Sequence, residues 1–401
     1  ALAAPLLLAG PGRAQDEGTD QITTASGRCG VCHPKDRVAF EKSPHARESL
    51  HCTSCHGGND QAADEKSAHS GGGWPGRTSR VQVPALCASC HSDPKQMQPY
   101  DLPVDQYSLY LTSEHGKRLK AGDTKVAVCT DCHGVHDILS ASDPVSRVYV
   151  TNIPRTCGTC HGDSTLIRER NLKKDVYRDY LSSVHAKQLL DAGNLRAPTC
   201  VSCHGVHGAA PSEVADVNKV CGRCHTSERR YFLSGPHASG MSRENMAECS
   251  SCHGDHAIMA SDVSRLASSC VPCHEQGSRE ARLGGDLLKD YRSAEEQIAG
   301  AEAWVAKADA VPIATDDFQA RVEEARTYLR EAMTAAHSVR LDVMAAYTVR
   351  ARSTGEEVSD EIASKLKNIS VEKFGLIVFW FYVIVTIGIL RRFRDRKGPG
   401  A

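Results

Sequence analysis

The chain has 401 residues, a formal net charge of −1, 24% charged and 40% hydrophobic residues, and only 5% aromatics. A balance this close to neutral gives no basic field for gripping nucleic acid. So few aromatics leave a chain of this length short of the material for two or three ordinary apolar cores.

Residues 1–15, ALAAPLLLAGPGRAQ, are an apolar run ending at a small-residue site near Ala14, and they read as the tail of a secretory signal peptide. The region 16–277 that follows is built on one phrase, Cys-x-x-Cys-His, which occurs nine times. The copies are Cys29-Cys32-His33, Cys52-Cys55-His56, Cys87-Cys90-His91, Cys129-Cys132-His133, Cys157-Cys160-His161, Cys200-Cys203-His204, Cys221-Cys224-His225, Cys249-Cys252-His253 and Cys270-Cys273-His274. Together they consume all 18 cysteines of the chain. A single copy could be a zinc knuckle or a redox dithiol. Zinc ribbons do not need a His after every second Cys, and a disulfide framework would not hold the spacing at two. The recurring phrase is the attachment signature of c-type haem, in which two thiols bind the vinyl groups and the adjacent imidazole is the proximal iron ligand. Nine c-type haems are expected, at roughly 27 residues each, too few to wrap every cofactor in its own domain. The porphyrins themselves must then serve as core and crosslink, with short helices and loops wound around them.

Ten of the 19 histidines lie outside the motifs, and most of them recur in register. His45, His115, His185 and His237 follow an aromatic residue and a serine (Phe40-Ser43, Tyr110-Ser113, Tyr180-Ser183 and Tyr231-Ser234), the last with one extra residue. His136, His207 and His256 lie three residues after a motif histidine, as His-Gly-x-His. One Ser-x-His, two motifs and one His-Gly-x-His make a module that occurs four times after the single motif at Cys29. The first module departs from this pattern. Its His56-Gly57-Gly58 has no following His, a Gly-rich insertion takes its place, and His69 is the best substitute there. With His337 in the C-terminal region, nine distal candidates face nine irons, and His51 is a competitor for the last places. An iron with two imidazoles has no open position and is suited to one-electron exchange.

The arrangement from Cys29 to His69, repeated in the later modules, resembles the multihaem cytochromes that include the decahaem outer-membrane conduits and the pentahaem donor of periplasmic nitrite reductase. The resemblance covers residues 29–274. It implies bis-His electron transfer and haem attachment outside the cytoplasm. Those relatives lack a C-terminal anchor, so partner and location rest on other features.

Residues 278–369 are expected to form a helical hairpin and connector. Leu287, Tyr291, Ala294, Ile298, Ala301 and Val305 make one apolar seam; Phe318, Val322, Ala325, Leu329, Ala332, Ala336, Val339, Val343 and Ala346 make a second, across a break at Val311-Pro312. A coiled-coil dimer is the alternative. Ser353 to Ser370 reads as a connecting helix, and these long helices resemble those of the nitrite reductase and hydroxylamine oxidoreductase group. A single transmembrane helix is expected over 370–391, from the charge-free run Phe374 to Leu390. The tail over 392–401 carries Arg392, Arg394, Arg396 and Lys397, which with Arg391 predict a cytoplasmic C-terminus.

The expected fold class is therefore mainly α with much irregular loop: a haem-cored domain, a helical hairpin and one membrane span. The function it points to is a nonahaem cytochrome of the bacterial inner membrane, its haems in the periplasm. It would relay electrons between a quinone-linked membrane subunit or other cytochromes and periplasmic acceptors, with no nucleic-acid partner and no catalytic residue. The span holds no His and so cannot carry a b-type haem. An octahaem-reductase-like enzyme for small nitrogen or sulfur oxyanions is the other reading, and it needs one five-coordinate haem; no Cys-x-x-Cys-Lys variant is present.

Overall fold

The computed structural model describes residues 26–208, 217–244, 246 and 248–396. The leader read at residues 1–15 and the end of the basic tail lie outside the described residues. The chain is mainly helical, with no strand among the described residues. It divides into two compact units: the described residues up to Val217 with His256–Ile258, and Asn218–Asp255 with the described residues from Met259 onward.

The first unit consists of short helices joined by turns. Most motifs occupy a single helical turn, as at Cys29–Cys32, Cys52–His56, Cys129–His133 and Cys200–His204. A helical turn is what the motif requires, because positions i, i+3 and i+4 share one face and so bring both thiols and the imidazole together. Even the ninth motif, in the second unit and outside any assigned helix, keeps the His274 N–H to Cys270 carbonyl bond at 2.9 Å.

Each Ser-x-His phrase is a helix start. Ser43, Ser113 and Ser183 are buried, and their hydroxyls accept from the N–H groups of Ala46, Gly116 and Ala186 at 3.4, 3.0 and 3.1 Å. The serine ends one helix and caps the next, which fixes the histidine at its second position. The aromatic residue ties down the approach to the following motif. Tyr110 donates to the Ala127 carbonyl and Tyr180 to the Pro198 carbonyl, both at 2.9 Å and both two residues before a motif cysteine.

The second unit contains three long helices, α1 (Arg279–Asp309), α2 (Asp316–Ala335) and α3 (Leu341–Arg396). Their core joins Ala294, Ile298, Ala301 and Val305 of α1, Phe318, Val322 and Ala325 of α2, and Ala351, Val358 and Ile362 of α3. Alanines at the seams let the helices approach closely, while Phe318 and Ile362 supply apolar area, each worth about 1.5–3 kcal/mol on full burial. Arg352 of α3 binds Asp290 of α1 at 2.7 Å, and Arg326 of α2 binds Glu302 of α1 at 2.7 Å.

This three-helix bundle corrects the expected hairpin. The second seam does not run on to Val343 and Ala346. Helix α2 stops at Ala335, Val339 takes a left-handed φ of 52°, and the chain reverses into α3. Ser353 to Ser370 is no separate connector, for α3 continues unbroken from the bundle through the apolar run. From Phe374 to Leu390 the helix is charge-free, and it is long and apolar enough to cross a membrane.

Candidate haem-ligand sites

The first motif of each module ends on a glycine in the left-handed region: Gly57 (φ 62°), Gly134 (89°), Gly205 (82°) and Gly254 (76°). A side chain at such φ is strained, so glycine lets the chain leave the helix abruptly and swing the next histidine away. The four-residue phrase His-Gly-x-His is thus a helix stop followed by a ligand placed on a new course.

The fourth Ser-x-His phrase carries its extra residue for a packing reason. Gly235, in place of serine, caps the helix Pro236–Arg243, so Pro236 and His237 hold the positions that Pro44 and His45 hold after Ser43. A Cβ on Gly235 would lie 2.3 Å from the Ser338 carbonyl oxygen, so any side chain there would force the backbones apart.

Eight motif histidines each face one histidine from outside the motifs. The pairs are His33–His69, His45–His91, His56–His136, His115–His161, His133–His207, His204–His256, His237–His274 and His253–His337, with ring centres 6.0–6.2 Å apart. That distance is diagnostic. Iron–nitrogen bonds of about 2 Å, with roughly 1.1 Å from ring nitrogen to ring centre, put two axial imidazoles about 6.2 Å apart. A direct N–H to N hydrogen bond would draw the centres to about 5 Å. The residues therefore fit a six-coordinate haem iron. Among the described residues, no group of three or more His, Cys, Asp or Glu side chains converges as a metal site, as protein-ligated zinc would require. A haem bound between such a pair would supply the four remaining donors.

The pairing follows two rules. His45, His115 and His237 face the second motif of their own module, at His91, His161 and His274. His136, His207 and His256 reach back to the first motif of the preceding module, at His56, His133 and His204. His69, facing His33, and His337, facing His253, extend the second rule to the two ends of the array. His185 and His225 lie outside the eight pairs, and neither lacks an interaction. His51 faces no motif histidine in these pairs; its Nδ1 lies 3.9 Å from Asp60.

Burial prepares these rings for a metal. Desolvation holds His45, His91, His115, His133, His207, His237 and His253 below the ordinary imidazole pKa, and therefore neutral, with a nitrogen lone pair to donate. His337 is oriented by its backbone. Its Nδ1 lies 3.0 Å from the Thr334 carbonyl, which can only accept, so Nδ1 carries the proton and Nε2 is left as the ligand atom.

The attachment cysteines join the sites into rows. First cysteines lie within electrostatic reach of one another in the pairs Cys29–Cys52, Cys87–Cys129, Cys157–Cys200 and Cys221–Cys249. Between those pairs, Cys55 lies within electrostatic reach of Cys90, Cys132 of Cys157, and Cys252 of Cys273. Six successive motifs are linked in this way in the first unit and three in the second.

Two residues of this region lie outside the repeat and are not among the sequence candidates. Trp74 stacks on His69 with ring centres 4.7 Å apart, and Asp36 lies beside His136 and His33. A lone tryptophan inside a Gly-rich insertion is the one hint the sequence offers for Trp74.

The family described as Doubled CXXCH motif matches residues 193–230, which contain the motifs at Cys200 and Cys221. No curated protein and no solved structure matched the chain. The doubled motif supports a c-type multihaem cytochrome, of the kind that serves in electron transfer.

Proposed function

We propose that the chain is a nonahaem c-type cytochrome, anchored in the bacterial inner membrane by α3, whose periplasmic haem domain relays electrons between quinone-linked membrane partners and periplasmic acceptors. The observation that carries this reading is the recurrence of one imidazole spacing, 6.0–6.2 Å, at eight places along the motif array. His185 and His225 complete a set of nine distal and nine proximal imidazoles.

Haem, when bound, supplies a reversible one-electron couple. The chain's own residues do the rest. Paired imidazoles would hold the haem iron from both sides and keep small substrates off it, which favours relay over conversion. Cysteines in mutual contact bring neighbouring attachment points together, so electrons have short steps to take. Ligands drawn from adjacent modules tie those modules to one another, and the bundle contributes His337 to the last of these crossings. The charge-free run of α3, with Lys373 before it and Arg391 after it, supports the anchor; basic residues beyond the span favour a cytoplasmic end and a haem domain on the other side.

A reductive titration of the purified protein, with haem quantified as its pyridine complex, tests the reading. It should take up nine electrons per chain and show no sustained consumption of nitrite, hydroxylamine or tetrathionate with a viologen donor. Sustained turnover of any of these would move the chain to the octahaem-reductase-like alternative.

A further inference from the structure

The pairs His33–His69 and His56–His136 have one carboxylate set between them. Asp36, in the short helix Pro34–Phe40 just after the first motif, has its carboxylate 3.1 Å from Nδ1 of His136 and 3.8 Å from Nδ1 of His33. His136 faces His56, and His33 faces His69. One carboxylate is thus set against a ligand of the first site and a ligand of the second. Its charge also reaches His56, the other ligand of the second site. The indole of Trp74 is stacked on His69 with ring centres 4.7 Å apart and tilted toward His56 at 6.5 Å, so it lies near the remaining ring of each site.

The chemistry of this contact is directional. The Asp36 carboxylate, 3.1 Å from Nδ1 of His136, sets a negative charge beside that ring. A negative charge next to an iron-bound imidazole would stabilise the oxidised iron over the reduced one. His337, by contrast, donates to a neutral carbonyl at Thr334. The group beside the far nitrogen is thus charged at His136 and neutral at His337.

We propose that Asp36 is a positioning residue shared by the first two haem sites, which lowers the reduction potential of both and makes the N-terminal pair a matched low-potential entry or exit of the array. The inference rests on the bis-imidazole reading of these sites. It concerns His33 and His136 directly and His56 through space. With 54% of its side chain exposed, Asp36 acts through partial solvent screening, so its effect is modest.

The test is Asp36→Asn in the full-length haem-loaded protein. Asparagine keeps the acceptor oxygen and removes the charge. A spectroelectrochemical titration at one fixed pH, fitted to nine one-electron components, should move two components to more positive potential and leave seven in place. The expected change in the oxidised-to-reduced ratio at fixed potential is about two- to tenfold, tenfold being 59 mV for a one-electron couple. Asp36→Glu should restore the wild-type values, and Asp36→Ser, too short to reach either ring, should repeat the shift if the asparagine variant assembles poorly. Nine unmoved components, or a uniform displacement of all nine, would overturn the proposal. Low-temperature spin states of the wild-type protein separate this failure from failure of the underlying reading: an all-low-spin protein whose Asp36→Asn variant is unchanged sinks only the role of Asp36.

Discussion

His337, on the 3-10 turn between α2 and α3, stands 6.0 Å from the motif histidine His253, ring centre to ring centre. On the bis-imidazole reading, the helical bundle would supply one of the ligands. Replacing His337 by Ala should convert one iron per chain to high spin and leave the other eight unchanged. EPR spectra of the oxidised protein at low temperature check this, and an unaltered spectrum would contradict it.

His69 and His51 give opposite expectations. His69 faces His33 at 6.2 Å, whereas His51 lies beside Asp60. His69→Ala should add one high-spin iron, and His51→Ala should add none. The same spectra decide between them.

Gly235 tests the account of the fourth Ser-x-His phrase. Its missing Cβ leaves room for the Ser338 carbonyl, 2.3 Å from where that atom would be. Gly235→Ala should force the backbones apart at a cost of about 1–3 kcal/mol. Thermal unfolding followed by circular dichroism should show the loss, whereas the reverse exchange at Ser43, to glycine, should cost only a few tenths of a kcal/mol as a capping change.

Phe318 is 2% exposed at the end of the bundle away from His337, packed with Ile362 and Leu366. Phe318→Ala should destabilise the bundle by about 3–5 kcal/mol. Helical signal should then melt earlier while the visible haem spectrum at room temperature stays that of the wild type.

The length of α3 sets a distance. From Leu341, just after His337, to Phe374 at the start of the apolar run, the helix rises about 50 Å at 1.5 Å per residue. With the run seated in a bilayer, the site at His253 and His337 should stand about 40–50 Å above the headgroups, allowing for the usual helix tilt. Cryo-electron microscopy of the protein in lipid nanodiscs measures this height. A site lying against the bilayer would show that α3 bends or unwinds.

Much of the ligand set is legible in the sequence as positions, because a ligand needed at every iron must recur with every motif. The partnership is not legible. Nothing local tells His136 to face His56 in the preceding module while His115 faces His161 in its own; that is set by how successive modules pack on one another. The third helix of the bundle escaped the reading for a different reason. Its seam runs through Thr348 and Gly355 as well as Met344, Ala351, Val358 and Ile362, and a polar residue and a glycine at core positions break the apolar pattern. Thr348 is accommodated by its bond to Asp290, and Gly355 by its close approach to Gln297. Asp36 and Trp74 have no repeat to mark them, so only their placement against four ligand rings gives them a role.

Every iron of the array is expected to hold two imidazoles. The most direct measurement is the EPR spectrum of the fully oxidised protein near liquid-helium temperature, integrated against its haem content. The account predicts low-spin signals accounting for nine irons per chain and no high-spin component. A high-spin or water-ligated signal of even one iron per chain would contradict it.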